Sequence, residues 1–565
     1  MKRRDFLKTG LKIGVAANAL PVMLGGWPIR ALGRSPLRSA LETSGSSNNN
    51  VLVIVQLQGG NDGLNCVVPY ADPYYAPGSV TSLRPTLGLS GSDITSPIPD
   101  HTSLAMHAGM EGILSLYGSG GGNGQVAILQ NVGYANPVLS HFRGTDVWNT
   151  ATDSGIYESS GWVGRFLAGQ NPAYPPATIP TGSWPLAVEF GNALSNIFLG
   201  PNGGMGVAMN SMPSQSSPTG QSYDAIPNSP TTQYKELEFV RTIQAESDIY
   251  ANTILNRTVS KNNASVTYPS STLSQQLSYI AQMIASEGKS GSTTSAPPKI
   301  YLVTQGSYDT HSTQITRQAS LLTDLSAAIA AFQADIEAFG VADNVAIMTY
   351  SEFGRRAKEN GSGTDHGTAA PHFIIGTQVK GAVYGSDPAL DPTSLGTPNG
   401  NAPTGNLNYD PLHEFRNVYA TVMNEWLLAG GDQTQINADI QAVLTQDANA
   451  TYSANSNWQS LGIFKAASQQ YVGSAPGAVG LMLLQNYPNP AYASTTIPFV
   501  LDAAGPVELG IFTSAGVEIA RPVEGWQSAG PQQANFDASK LASGAYFYRL
   551  KTVSGTVSRP MIVAH

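Results

Sequence analysis

The feature that most constrains the fold of this chain is a recurring unit, in which a short apolar run leads into a polar loop. The runs end near Leu57, Gly133, Gln305 and Tyr350. Near-continuous apolar runs rich in β-branched residues are typical of strands buried on both faces of a parallel sheet. Between and after the runs, apolar residues recur at helical spacing, in residues 274–287, 314–339 and 415–430. The sequence therefore predicts an α/β fold, with a mostly parallel sheet flanked by helices.

The loops that follow these runs collect residues that bind metals. Because the carboxyl ends of parallel strands open at one edge of a sheet, we expect the side chains of these loops to converge there. The candidates, in chain order, are Asp62, Ser140, His141, Asp309, His311, Glu352, Asp365 and His366. Carboxylates combined with imidazoles suit zinc or manganese, whereas oxygen ligands alone suit calcium or magnesium. The loops thus predict a divalent metal site, with zinc or manganese favoured over calcium and the number of ions left open.

Spacing within the loops supports some candidates more than others. Asp309 and His311 are two residues apart, so an extended segment would present both on one side. Asp365 and His366 are adjacent, which allows one to bind a metal while the other orients it.

Several candidates also have a structural interpretation that the sequence leaves open. Asp62 follows Gly-Gly-Asn and could satisfy the amides of a turn. Ser140 could be the N-cap of a helix, with His141 its hydrogen-bonded neighbour rather than a base. Glu352 could pair with Arg355 or Arg356.

Composition narrows the class of protein. A chain of 565 residues is too long for one ordinary domain. The net charge is −9, with no basic cluster beyond the N-terminus, so nucleic acid is not expected as a partner. The single cysteine, Cys66, excludes an intrachain disulfide and a cysteine-based zinc site.

Residues 1–45 are predicted to be an export signal and linker. A basic head, MKRRDFLK, precedes an apolar stretch that is too short and weak to span a membrane. Arg3 and Arg4, followed by Phe6-Leu7-Lys8, resemble the twin-arginine export signal. The tripeptide Ala-Asn-Ala at 17–19 is a candidate cleavage site.

The C-terminal part, residues 476–565, has short alternating segments separated by turn residues, which predicts a small antiparallel β-sandwich. The stretches LLQNYPNPAYASTTIPFVL, LASGAYFYRL and RPMIVAH resemble the C-terminal sorting domain of type IX (Por) secretion. This resemblance implies export through the periplasm to the cell surface or the medium, with the type IX machinery as partner. The inner membrane would be crossed by the twin-arginine or the general secretory translocon.

The stretches QLQGGNDGLNCVVPY, SHFRGTDVW, YDTHSTQ and NGSGTDHGTAAP resemble an exported bacterial family of unknown function. That family is grouped with the alkaline phosphatase and sulfatase superfamily. The resemblance covers roughly residues 51–430, within an expected domain at 46–470. It implies an alkaline-phosphatase-like fold and metal-assisted hydrolysis of phosphate or sulfate esters.

The resemblance also implies roles for individual residues. Ser140 matches the nucleophile, and a water molecule is the alternative. The metal would be bound by Asp62, Asp309, His311, Glu352 and His366, and we add Asp365 because it is adjacent to His366. Phe353 stands where the superfamily often has a metal-binding histidine, so one expected ligand is missing. The chain is therefore expected to be either an exported ester hydrolase, or a surface protein that keeps the fold and binds an unknown ligand without catalysis.

Overall fold

The structure is a computed structural model of the chain. It describes residues 22–24, 27–29, 49–119, 124–171, 174, 183–201, 203–213, 248–256, 258–259, 262–286, 299–396, 405–444, 460–465, 482–483, 486, 491, 494–501, 503–513, 517–528, 530–553 and 555–563. The predicted export signal and its cleavage site lie outside these residues, except for a short antiparallel pair, β1 (Val22–Leu24) and β2 (Trp27–Ile29). The chain divides into two compact units, of which the first ends at Lys465 and the second begins at Met482 among the described residues.

The first unit is organised around an eight-stranded sheet with the order β11-β8-β12-β3-β13-β14-β7-β15. Its strands are β3 (Val51–Leu57), β7 (Val126–Val132), β8 (Ala187–Phe190), β11 (Val207–Met209), β12 (Ile300–Gln305), β13 (Val345–Tyr350), β14 (Ala370–Ile375) and β15 (Ala382–Tyr384). Only β14 runs against its neighbours. The prediction of a mostly parallel sheet is confirmed.

The helices of the first unit include α1 (Glu111–Tyr117), α2 (His141–Thr150), α3 (Trp162–Gln170), α4 (Thr272–Ile284), α5 (Gln314–Ala338), α6 (Phe415–Val422) and α7 (Gln433–Leu444). The predicted helix at 314–339 is matched closely by α5. The one predicted at 274–287 begins earlier, because Ser271 accepts a hydrogen bond from the backbone N–H of Ser274 as its N-cap. The one predicted at 415–430 changes after α6 into a π-helical turn, Met423–Leu427.

The central strands are buried on both faces, as their apolar runs predict. Along β3, Val53 and Val55 face one core cluster together with Leu277 of α4 and Leu325 of α5. The alternate residues of the strand face a second cluster, with residues of α2, α3 and α6. Because successive side chains of a strand point to opposite faces, this one strand joins both helical layers.

Smaller strands complete the first unit. A three-stranded antiparallel sheet consists of β4 (Val67–Val68), β5 (Ile94–Ile98) and β6 (His101–His107), and β9 (Leu199–Gly200) pairs with β10 (Gly203–Gly204). No helix in the described part of the chain is long and apolar enough to cross a membrane.

The second unit consists of antiparallel sheets, as predicted for the C-terminal part. One sheet has the order β16-β17-β20 and the other β19-β18-β21-β22. The strands are β16 (Met482–Leu483), β17 (Ser494–Leu501), β18 (Gly505–Thr513), β19 (Glu518–Gln527), β20 (Gly530–Asp537), β21 (Gly544–Lys551) and β22 (Thr556–Val563). Apolar residues of both sheets, such as Ile497, Leu509 and Tyr548, share one buried cluster.

Candidate metal site

Four polar side chains meet where β7, β12 and β13 lead into their loops. His141 is the first residue of α2, in the segment that follows β7. Asp309 and His311 follow β12, and His366 lies in the loop between β13 and β14. The convergence that the sequence predicts for these loops is therefore found for these four residues.

Asp309 lies at the centre of this group. Its Oδ1 is 3.1 Å from Nε2 of His311 and 3.1 Å from Nε2 of His366. Its Oδ2 is 3.4 Å from Nε2 of His141. The two atoms His311 Nε2 and His366 Nε2 are themselves 3.1 Å apart. Three imidazoles thus present the same ring nitrogen to one carboxylate, and we call these four residues the His–Asp cluster.

The opposite ring nitrogens show which nitrogen carries the proton. His366 Nδ1 is 2.8 Å from the backbone oxygen of Leu139, which can only accept, so Nδ1 must donate. His141 Nδ1 is 2.8 Å from Oε1 of Glu352. His311 Nδ1 is 3.7 Å from Oδ1 of Asp365, too far for a hydrogen bond. In neutral His141 and His366, Nε2 therefore carries a lone pair that is directed at Asp309.

Burial and charge keep His366 and Asp309 in the forms that bind metals. Burial lowers the pKa of His366, and this outweighs its hydrogen bond to Leu139, so the imidazole is neutral near pH 7. Burial would raise the pKa of Asp309, but the hydrogen bond from Arg355 and its positive charge outweigh burial and hold that pKa well below its ordinary value. The Nη2 atom of Arg355 is 2.7 Å from Asp309 Oδ1.

The spacing of three of these atoms, Asp309 Oδ1, His311 Nε2 and His366 Nε2, is close to that around a tetrahedral metal ion. Zinc–nitrogen bonds of 2.0–2.1 Å at a tetrahedral angle separate neighbouring ligand atoms by about 3.3 Å. Single ligand atoms of His141, Asp309 and His366 lie within 4.8 Å of one another. Nitrogen and carboxylate donors in this combination suit zinc-like ions better than calcium or magnesium.

Phe353 forms a wall of the cluster rather than a ligand. It is buried, and its ring centroid is 4.9 Å from that of His141 and 4.4 Å from that of His366. The aromatic ring therefore shields one side of the two imidazoles from water and limits their rotation.

The backbone around Asp309 and His311 is strained at both ends. Ser307 has φ of 80° and Thr313 has φ of 51°. A β-branched residue such as Thr313 is a genuine outlier in this left-handed region. Such strain persists only where the surrounding structure enforces it, and it is common at functional sites.

Asp62 does not join the cluster, contrary to the prediction that it binds the metal. Its Oδ1 accepts from Nη2 of Arg84 at 2.9 Å, and its Oδ2 accepts from Nη1 of Arg84 and from Nε2 of Gln314. Asp62 and Arg84 are both buried, so the guanidinium neutralises the charge that a metal would have offset. The structural alternative, in which Asp62 satisfies turn amides, is not found either, because its partners are the side chains of Arg84 and Gln314.

Glu352 and Asp365 lie behind the cluster rather than in it. Glu352 contacts Nδ1 of His141, and Asp365 faces Nδ1 of His311. The alternative that Glu352 pairs with a neighbouring arginine is not found, because Arg355 contacts Asp309 and Arg356 faces Asp365.

Ser140 occupies the N-cap position of α2 but its side chain makes no capping hydrogen bond. It is exposed. Of its two neighbours, His141 belongs to the cluster, and the backbone oxygen of Leu139 accepts from His366. The hydroxyl group is thus at the margin of the His–Asp cluster and at the positive end of a helix.

The two buried arginines beside the site, Arg84 and Arg355, could not be identified from the sequence. Both are fully buried, yet each lies in an irregular segment without any apolar periodicity.

Two family models match parts of the chain. Residues 296–412 match a family described as "Protein of unknown function (DUF1501)", which spans Asp309, His311 and His366. Residues 485–564 match "Secretion system C-terminal sorting domain". The second match indicates a type IX secreted protein that is exported and attached at the cell surface. No curated protein matches this chain.

Solved structures show only weak similarity. Dimeric latent PorU from Porphyromonas gingivalis is 22% identical with a TM-score of 0.13. The match covers 15% of this chain and 9% of the PorU chain. PorZ from the same organism, described as a surface component of the type IX secretion system, is 17% identical with a TM-score of 0.12, and covers 18% and 14%. This chain thus spans about a tenth of the length of these two proteins. A Bacteroides thetaiotaomicron structure described in connection with glycosaminoglycan metabolism is 10% identical with a TM-score of 0.31, and covers 87% and 90%.

Proposed function

We propose that this chain is an exported, cell-surface hydrolase that binds a divalent metal ion at the His–Asp cluster and cleaves esters of phosphate or sulfate. One observation supports the metal most directly. His366 directs a lone pair at Asp309 Oδ1 over 3.1 Å, because its only proton is donated to Leu139. Two acceptors at that distance repel each other, and a cation between them turns the repulsion into coordination.

The fold is consistent with an alkaline-phosphatase-like domain at 46–470, followed by the sorting domain at 476–565. The metal site would lie at the carboxyl edge of the parallel strands, where α/β proteins commonly bind ligands. Residues 1–45 would supply the twin-arginine export signal. This assignment rests on sheet topology and sequence motifs.

Each residue of the site has a separate task in this proposal. A bound zinc-like ion would polarise an ester oxygen and favour ionisation of a nearby water or hydroxyl group. His141, His311, His366 and Asp309 would hold that ion. Ser140, whose hydroxyl makes no capping bond, would be the nucleophile, with water as the alternative. The N–H groups at the start of α2 would face the negative charge of the ester. Phe353 would exclude water from the side opposite the substrate.

Phe353 also favours the second candidate function, a surface protein that binds its ligand without catalysis. Its ring occupies space in which the superfamily resemblance leads us to expect another ligand. A site with fewer ligands can still bind one ion, so metal binding and catalysis must be measured separately.

The test is calorimetric titration of metal-stripped protein with zinc, manganese and calcium. We expect zinc or manganese to bind tightly, and His366→Ala to weaken this binding about 10-fold or more. His372→Ala is the matched control, because His372 is buried in β14 among Trp148 and other core residues and does not touch the cluster. If no ion binds more tightly than about 1 mM, the metal proposal is wrong. Binding without turnover of aryl phosphate and aryl sulfate esters would favour the non-catalytic function.

A further inference from the structure

Glu352 is the one fully buried carboxylate in contact with the His–Asp cluster, and its environment is unusual. Its exposed fraction is 0%. Its Oε1 accepts from the backbone N–H of Gly59 at 2.8 Å and from Nδ1 of His141 at 2.8 Å. Its Oε2 is also buried, and within the described residues it has no hydrogen-bond partner.

The charge of this carboxylate is not offset by a basic side chain. Among the described residues, no arginine or lysine forms an ion pair with Glu352, and its one ion-pair contact is with His141. A buried ionised group without a partner costs several kcal/mol. The imidazole of His141 separates Glu352 from Asp309, with its Nδ1 towards Glu352 and its Nε2 towards Asp309.

We infer that Glu352 is the positioning residue of the metal site, and that its charge is balanced by the metal ion across the ring of His141. This inference rests on the metal binding proposed above. Glu352 fixes His141 with the proton on Nδ1, so that Nε2 is free to bind the ion. The cation polarises the imidazole, which makes its Nδ1–H a stronger donor to the carboxylate.

Glu352 is held in place by the backbone of Gly59, in the loop after β3. Gly59 has φ of 122° and a Cβ added to it would lie 2.4 Å from the backbone nitrogen of Asp309. The loop after β3 therefore packs tightly on the loop that carries Asp309. The N–H of Gly59 holds Oε1 of Glu352 in place, and Oε1 in turn holds His141.

The role of charge can be separated from that of shape with Glu352→Gln. The amide oxygen of glutamine can still accept from Gly59 and from His141, so the fold and the orientation of the ring are retained. The variant removes the negative charge and places an amide NH2 group where Oε2 lies without a partner. We expect zinc or manganese to bind about 10-fold or more weakly, while the thermal unfolding midpoint of the metal-free protein is not lowered.

The matched control is Glu189→Gln. Glu189 is another buried glutamate that accepts a backbone N–H, from Ser195, and it lies in β8 outside the cluster. Its substitution should leave metal affinity unchanged. If Glu352→Gln binds the ion as tightly as the unmodified protein, the inference is wrong. If the unmodified protein binds no ion, the proposed function is wrong instead.

A second measurement does not depend on the variant. Nitrogen-15 NMR of histidine-labelled, metal-free protein at pH 7.5 reports which ring nitrogen of His141 is protonated. We expect the proton on Nδ1. A proton on Nε2 would overturn the inference, because the ring would then have no lone pair directed at the site.

Discussion

Arg355 joins the loops that build the His–Asp cluster, so its conservative replacement by lysine tests the whole arrangement. It is buried, with a relative exposure of 1%. Its guanidinium donates to four backbone oxygens and one carboxylate, those of Gly59, Gly60, Tyr308, Thr364 and Asp309. The loops after β3, β12 and β13 are thereby held to a single side chain.

The expected effect of Arg355→Lys follows from the number of donors. Lysine keeps the charge but has three donors on one nitrogen, so at least two of the five acceptors lose their partner. A hydrogen bond to a charged group is worth about 1.5–3 kcal/mol. The free energy of unfolding should therefore fall by about 3–6 kcal/mol. Asp309 also loses its fixed position, so zinc or manganese should bind about 10-fold more weakly.

Urea unfolding of metal-free protein, followed by tryptophan fluorescence, measures the first effect. Trp148 and Trp162 are buried in the first unit, whereas Trp526 of the second unit is 73% exposed, so the fluorescence change reports mainly the first unit. Calorimetric titration measures the second effect.

Arg165→Lys is the matched control for this experiment. Arg165 is also buried, and it donates to backbone oxygens of Val443, Ser160 and Thr150. Its replacement should lower stability but leave metal affinity unchanged, because none of its partners belongs to the cluster. A loss below about 1 kcal/mol for Arg355→Lys, or equal metal affinities for the two variants, would refute this reasoning.

Two further changes test other parts of the first unit. Burial raises the pKa of Glu189 to about 7, against the hydrogen bonds from Ser195, so the folded state holds this proton more tightly than the unfolded state. The free energy of unfolding should fall by about 3 kcal/mol as the pH rises from about 4.5 to 7. In urea unfolding of Glu189→Gln, this contribution to the pH dependence should be absent. Thr313→Asn should raise the free energy of unfolding by about 1 kcal/mol in the same assay, because asparagine tolerates the left-handed conformation that Thr313 adopts; an unchanged or lower value would mean that the backbone there is not strained.

The sheet could be predicted from the sequence because its signal is local. Each central strand is a near-continuous apolar run, and burial on both faces requires such a run. The match between the predicted helix at 314–339 and α5 (Gln314–Ala338) has the same origin, since the apolar spacing of one helix is set by the face it buries. The reversed direction of β14 could not be predicted, because an antiparallel strand buried on both faces has the same composition as a parallel one.

The residues that form the candidate site were harder to predict than the edge of the sheet at which it lies. The rule that strand ends meet at one edge placed Asp309, His311 and His366 correctly in one region. The same rule also selected Asp62, which lies at that edge but is neutralised by Arg84 from a loop 22 residues along the chain. An ion pair between two irregular segments leaves no pattern in the sequence, so a ligand and a neutralised carboxylate look alike before the structure is known.

Phe353 and His141 bear on the ligand that the superfamily resemblance leads us to expect at position 353. Counting ligands along the chain left position 353 without one, and this weakened the expectation of a metal site. In the structure the ring of Phe353 packs on His141 and His366, and His141 enters the cluster from α2. His141, which the sequence suggests is only a hydrogen-bonded neighbour of Ser140, therefore brings a nitrogen donor to the cluster. Position 353, where the superfamily often has a histidine, offers none. Glu352 accepts from Nδ1 of that imidazole, and Phe353 packs against its ring. Phe353 is therefore compatible with metal binding by His141, although it is not itself a ligand.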